Sequence, residues 1–182
     1  MFAGKSSALQ SIVKRHQSLG WKMLVLNHSA DTRYGTSSVV NHDNQRLPAK
    51  SVSHLMPLLE DAEFAAARLI VIDEAQFFED LFPFVTTAAD VHAKHVVVVG
   101  LDGDADRKPF GQIGTLVPHC DKITKITAFC AECKDGTAAL FTYAKRAEAA
   151  AAAAAGIPCV GAIESYVPLC RTHYCTAVAT VS

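Results

Sequence analysis

The stretch Leu69-Ile70-Val71-Ile72-Asp73-Glu74 constrains what this chain can fold into more than any other. Four consecutive apolar residues without polar alternation describe a strand covered on both faces, the situation of a strand inside a parallel sheet. Met23-Leu24-Val25-Leu26 is a second run of this kind, and His95-Val96-Val97-Val98-Val99-Gly100-Leu101 is a third. A helix is expected from Phe78 to Ala93, between the last two. Strand, helix and strand in alternation predict right-handed crossovers and a mostly parallel α/β sheet. Ligands in such sheets bind outside the carboxyl ends of the strands. Lys5, Asp73, Glu74 and Asp102 are expected at that edge.

The start of the chain supplies a matching element. Met1-Phe2-Ala3-Gly4-Lys5-Ser6-Ser7 reads as the second half of a phosphate-binding loop running into a helix. In the full pattern G-x-x-x-x-G-K-[ST], backbone N–H groups cradle phosphates, the Lys reaches the outer phosphates and the Ser/Thr hydroxyl coordinates magnesium. The first glycine would lie ahead of Met1, together with the strand that feeds the loop. A sheet lacking that first strand is expected to expose an edge or its centre. From Ser6 to Leu19, the residues Leu9, Ile12, Val13, His16 and Leu19 recur at helical spacing, and Gly20 is expected to close the helix. Asp73 stands where an acid shares magnesium with the loop Ser. Glu74 stands where a carboxylate accepts the proton of an attacking hydroxyl or water. Singly, Gly-Lys-Ser is a chance helix start and two acids after a strand are a polar cap. Their joint occurrence points to a nucleotide-phosphate site.

Further along, Asn27 to Lys50 is polar and is expected to be a long loop, and Val52 to Leu59 a weak helical stretch that Pro57 interrupts or begins. Past about Thr127 the character changes to cysteine pairs and short β-prone pieces. We therefore expect an α/β core over residues 1–127, a zinc-binding domain over 128–176 and a tail over 177–182. A chain of 182 residues suits such a core with a small appendage.

The chain carries six cysteines. Neither a run of roughly 18 apolar residues nor a charged-then-apolar leader is present, so a soluble, cytoplasmic protein is expected, with no membrane partner. Reducing compartments keep thiols free and favour metal sites over disulfides. Cys130-x-x-Cys133 and Cys170-x-x-His173 can supply four ligands in a tetrahedron, which suits structural zinc. Cys175 competes with His173 as the fourth, and the alternative is a set of buried thiols packing as small hydrophobes. Cys120 and Cys159 have no paired spacing and read as packing residues. Lys plus Arg (17) nearly balances Asp plus Glu (18), so nothing global favours a nucleic-acid partner.

Met1-Phe2-Ala3-Gly4-Lys5-Ser6-Ser7, Asp31-Thr32-Arg33-Tyr34, Asp73-Glu74-Ala75-Gln76-Phe77-Phe78, Leu101-Asp102-Gly103, Arg107-Lys108-Pro109-Phe110-Gly111, Cys130-x-x-Cys133 and Ser165-Tyr166-x-Pro168-x-Cys170-Arg171-x-His173 stand in this order. Together they resemble the type II thymidine kinases over nearly the whole chain. The resemblance implies a P-loop α/β domain with a small zinc-binding lasso domain, in a homotetramer. It implies transfer of the ATP γ-phosphate to the 5′-hydroxyl of thymidine, giving dTMP, with magnesium. By the same resemblance Gly4, Lys5, Ser6 and Ser7 meet the phosphates, Ser6 and Asp73 the magnesium, and Arg33 faces phosphate. Glu74 is then the base, and Met1, Phe77, Leu101, Phe110 and Tyr166 surround the nucleoside. Thr142 and Gly161 belong to the lasso-like loop over the base, and Cys130, Cys133, Cys170 and His173 hold zinc.

Three departures from that family's pattern stand out. Ala75 replaces a common Gly, and Ala105 a common aromatic, which is expected to widen the nucleoside pocket. Ala149 to Ala155 form an alanine run in the lasso loop, too short for a stable isolated helix. Two other readings remain. One is a truncated or inactive remnant that at most binds nucleotide, and the other is a zinc-ribbon nucleic-acid module, against which the balanced charge speaks.

Overall fold

The computed structural model describes residues 2–30, 38–40, 46–145 and 166–180. Met1, Arg33, Cys159, Gly161 and the alanine run lie outside the described residues. The chain divides into two compact units. One comprises Lys5–Asp102 and Phe110–Ile123; the other comprises Met1–Gly4, Gly103–Pro109 and Thr124–Ser182.

The first unit is built on four parallel strands. β1 (Met23–His28) pairs with β4 (Lys50–Val52) and with β5 (Leu69–Asp73), and β5 pairs with β6 (His95–Val98), in the order β4-β1-β5-β6. All five residues of β5 are buried, as its unbroken apolar run requires. Alternation sends its side chains to two cores. On one face Leu24, Leu26, Ile70 and Ile72 pack with Phe64, Phe78, Leu81 and Phe84. On the other, Val25, Leu69 and Val71 pack with Leu9 and Val13 of helix α1 (Lys5–Gln17). Truncating any of the buried Leu, Ile or Phe side chains among these to Ala costs about 2–5 kcal/mol.

α1 ends as its sequence predicts, with Gly20 at φ +72°. Leu19 lies beyond the last helical turn and is exposed. The polar stretch between β1 and β4 is not loop throughout: β2 (Ser38–Val40) and β3 (Arg46–Pro48) form an antiparallel pair within it. Three-residue strands leave too little periodicity to be read locally. Pro57 opens a 3-10 turn, Met56–Glu60, and the Asp61 carboxylate then caps helix α2 (Ala62–Ala66). The helix expected from Phe78 to Ala93 is α-helical only over α3 (Leu81–Thr86) and winds as a π turn over Thr87–Val91. Thr86 donates its hydroxyl to the carbonyls of Phe82 and Pro83, a back-bond that competes with the helical ladder. The third strand is shorter than expected, but Val99 N–H still donates to the Ile72 carbonyl. Among the described residues β6 is one of the two edge strands of this sheet, and Val96 to Val99 are only half-buried.

The second unit has its own small core. β7 (Ala128–Phe129) and β8 (Ala138–Ala139) form one antiparallel pair, and β9 (Phe141–Ala144) and β10 (Tyr166–Leu169) another. Helix α4 (Arg171–Ala179) follows β10 directly. Ala128, Cys130, Ala139, Leu169, Cys170 and Tyr174 are buried together. Among the described residues no helix is long and apolar enough to cross a membrane.

Candidate active site and metal centre

In the first unit the carboxyl ends of β1 and β5 lie side by side, with Asn27 paired to Asp73. α1 runs back along this sheet. Its last turn is tied to Trp21, just before β1, by the Trp21 N–H donating to the His16 carbonyl, and its middle packs on Val25 and Val71. A helix that ends where β1 begins, and lies along it, starts at the carboxyl edge. Asp73 and Glu74 belong to the same unit as the residues that open this helix, Lys5 and Ser6. Lys5 and Ser6 are half-buried, while Ser7 is exposed. The positive end of a helix of 13 residues attracts phosphate. A hydroxyl and a carboxylate, from Ser6 and Asp73, are the hard oxygen donors that magnesium prefers.

The turn after β5 has a particular geometry. Asp73 and Glu74 are both buried, and Glu74 adopts φ 47° and ψ 41°, the left-handed region that a non-glycine residue occupies at a cost. The Asp73 Oδ1 accepts the Glu74 N–H at 3.0 Å and holds that conformation. The chain then enters a 3-10 turn, Ala75–Phe77. Phe77 meets Phe110 edge-on, with ring centroids 5.4 Å apart, and His28 at 5.7 Å. Phe77, Leu101 and Phe110, expected around a nucleoside, thus belong to the same unit as Lys5, Ser6, Asp73 and Glu74. Thr142 and Tyr166 belong to the second unit, on β9 and β10.

His28, at the end of β1, was not singled out by its sequence context. Its Nδ1 accepts the Ala30 N–H at 3.1 Å, which requires that nitrogen to be unprotonated. Burial, and then the nearby His54, push its pKa below the usual histidine value, against the opposing pull of Asp80. Gln76 lies in the Asp73-to-Phe78 motif, whose sequence assigns it no role. It is buried, with its amide between Glu74 and Leu101. Nothing in a single sequence distinguishes a buried glutamine from a solvated one just after a strand.

In the second unit Cys130, Cys133, Cys170 and His173 gather their ligand atoms within 4.8 Å of one another. The local folding explains this. Cys130 and Cys133 sit in the tight turn between β7 and β8, where Lys134 and Gly136 have positive φ. Cys170 caps α4 and His173 lies in its first turn, so both face one way. Cys175 is a further two residues on, roughly 200° around the helix, and is exposed. Sulfur to sulfur, Cys133 and Cys170 are 3.8 Å apart; from the His173 Nδ1 the three sulfurs lie at 3.6, 3.3 and 3.3 Å. A tetrahedron with Zn–S of about 2.3 Å and Zn–N of about 2.0–2.1 Å has edges of about 3.8 and 3.6 Å. The donor set and its spacing fit structural zinc.

The thiols themselves show what a cation would resolve. Burial pushes the Cys130 thiol up, but backbone N–H groups of Cys170, Cys133 and Glu132 outweigh it and bring its pKa to about 6. Cys133, by burial and its bonds to Cys130 and Cys170, is raised to about 11. Crowded together, the three sulfurs disfavour full deprotonation, and a divalent cation at their centre would remove that conflict. Cys120 is exposed, with its sulfur on the Val117 carbonyl, rather than packed in a core.

The first unit is a mostly parallel α/β sheet and the second carries a Cys3His cluster that fits zinc. The thymidine kinase family model matches residues 1–174. The chain is 39% identical over 179 residues to thymidine kinase a of Arabidopsis thaliana, covering 97% of this chain and 72% of that protein. It is 39% identical to a thymidine kinase of Oryza sativa subsp. japonica, covering 96% of this chain and 63% of the relative. It is also 37% identical to the cytosolic thymidine kinase of Homo sapiens, covering 96% and 69%. The chain belongs to the thymidine kinase family, and so to the kinases.

Proposed function

We propose that this chain transfers the γ-phosphoryl group of ATP to the 5′-hydroxyl of thymidine, giving dTMP and ADP. The family match over residues 1–174 carries this reading. Glu74 directly follows Asp73 at the carboxyl end of β5, which supports it. Gly4, Lys5, Ser6 and Ser7 are assigned to the phosphates. Arg33, outside the described residues, is assigned to face them. Ser6 and Asp73 would hold magnesium, which when bound neutralises charge on the phosphate oxygens. Phe77, Leu101, Phe110 and Tyr166, with Met1, Thr142 and Gly161, are assigned to the nucleoside.

Glu74 accepts the proton of the 5′-hydroxyl as that oxygen bonds to the γ-phosphorus and the bond to the β,γ-bridging oxygen breaks. The electron pair of the broken bond leaves with ADP, and Lys5 offsets the charge that accumulates there. Cys130, Cys133, Cys170 and His173 are assigned to structural zinc. The functional division we propose is a kinase core over 1–127, a zinc-binding lasso domain over 128–176 and a tail over 177–182, in a cytoplasmic homotetramer. The decisive measurement is dTMP formation from ATP and thymidine by the parent and by Glu74→Gln. Loss of the base lowers kcat on the order of 10²-fold or more; full activity in Glu74→Gln would remove Glu74 from the reaction.

A further inference from the structure

We propose that Gln76 is a positioning residue that sets the plane of the Glu74 carboxylate and ties it to the chain that follows β6. This inference rests on the assignment of Glu74 as the base. Gln76 is 4% exposed. Its Nε2 donates to the Glu74 Oε2 at 2.6 Å, and its Oε1 accepts the Leu101 N–H at 3.0 Å. The Leu101 amide can only donate, so the glutamine oxygen must face it and the NH2 must face Glu74. One amide thus orients the carboxylate and holds the Leu101 backbone.

The backbone geometry explains why the two side chains meet. Residues two apart in a helix do not face each other. The left-handed conformation of Glu74 turns its side chain toward Gln76, so the strained residue has a structural purpose. The surroundings are shaped to the glutamine as well. A Cβ on Gly100 would lie 2.5 Å from the Gln76 Oε1, so the glycine leaves room for the amide. A long carboxylate side chain left to rotate samples several rotamers, and a base placed off its productive geometry loses rate rather than binding.

The experiment uses the full chain with ATP and thymidine as substrates. Gln76→Glu keeps an acceptor for Leu101 and replaces the amide donor to Glu74 by a second carboxyl group; Gln76→Met removes both hydrogen bonds at similar volume. Each should lower kcat by about 10- to 10²-fold with the KM for ATP within about twofold of the parent. A double-mutant cycle supplies a readout that a general packing role would not move. In a Glu74→Gln background, Gln76→Met should cause almost no further loss of kcat, because residues acting as a unit are not additive. The proposal is overturned by kcat within about twofold of the parent in both single variants, or by an undiminished effect in the Glu74→Gln background. It is also overturned if both single variants lose cooperative melting, which would assign Gln76 to folding. Full activity in Glu74→Gln alone would strike the base assignment instead, so the two failures are distinguishable.

Discussion

His28 shows how one residue couples solution pH to the candidate site. Its ring packs on Phe77 and Phe78, and its Nδ1 must stay unprotonated to accept from Ala30. Its folded pKa lies below the ordinary value of 6.5 because of burial and then His54. The unfolded chain therefore binds this proton more readily than the folded one as pH falls through 6.5. The contribution of His28 is fully present above that value and is lost on acidification toward its folded pKa. The melting temperature of His28→Phe should consequently fall less than that of the parent between about pH 7.5 and pH 5.5. Differential scanning calorimetry at those two pH values, in parallel on both proteins, reads the difference. Equal slopes would mean that His28 is not the group responsible.

At the scale of elements, the fold depends on a few side chains that satisfy the ends of short helices. The Asp80 Oδ2 accepts the N–H groups of Leu55 and Met56 at 2.7 and 2.8 Å, fastening the 3-10 turn Met56–Glu60 to the start of α3. Leu55 is fully buried, so water is a poor substitute. Asp80→Ala should destabilise the protein by about 2 kcal/mol, and Asp80→Asn, which keeps one acceptor, by less. Urea midpoints at constant m-value test this. Gly111 has φ +59° and no room for a Cβ against the Gln76 backbone. Gly111→Ala should cost on the order of 2 kcal/mol or more, by strain and displacement together.

At the scale of the whole molecule, the second unit should depend on its metal and the first should not. The four ligands come from the β7–β8 turn and the start of α4, which otherwise share only a small core. That unit also includes the loop Gly103–Pro109. There the Tyr174 hydroxyl donates to the Ala105 carbonyl at 2.6 Å and the Arg107 guanidinium lies 4.7 Å from the Tyr174 ring centre. Tyr174 directly follows His173, so removing the metal loosens its anchor as well. Chelation should raise amide exchange in residues 103–109, 128–144 and 166–180 while β1 and β5 stay protected. Cys133→Ser should reproduce the effect without chelator, with zinc content falling below one ion per chain, as elemental analysis would read. Uniform exchange in both units would contradict a local structural metal.

The local part of this organisation was legible without coordinates. Apolar runs report that both faces of a strand are covered, C-x-x-C and C-x-x-H spacings report possible ligand pairs, and a glycine after a periodic helix reports its end. These are short-range properties, decided by side-chain type and backbone periodicity over a few residues. The contacts that complete the sites were decided by packing between distant segments. Cys130 meets His173 across 43 positions, and the turn of α4 selects His173 over Cys175. The Leu101 amide reaches Gln76 across 25 positions, through a gap that exists only because Gly100 has no side chain. No pattern in the sequence encodes the left-handed turn at Glu74. It is held by Asp73, the buried Gln76 and the end of the sheet together, and such a conformation persists only when the surrounding structure over-determines it.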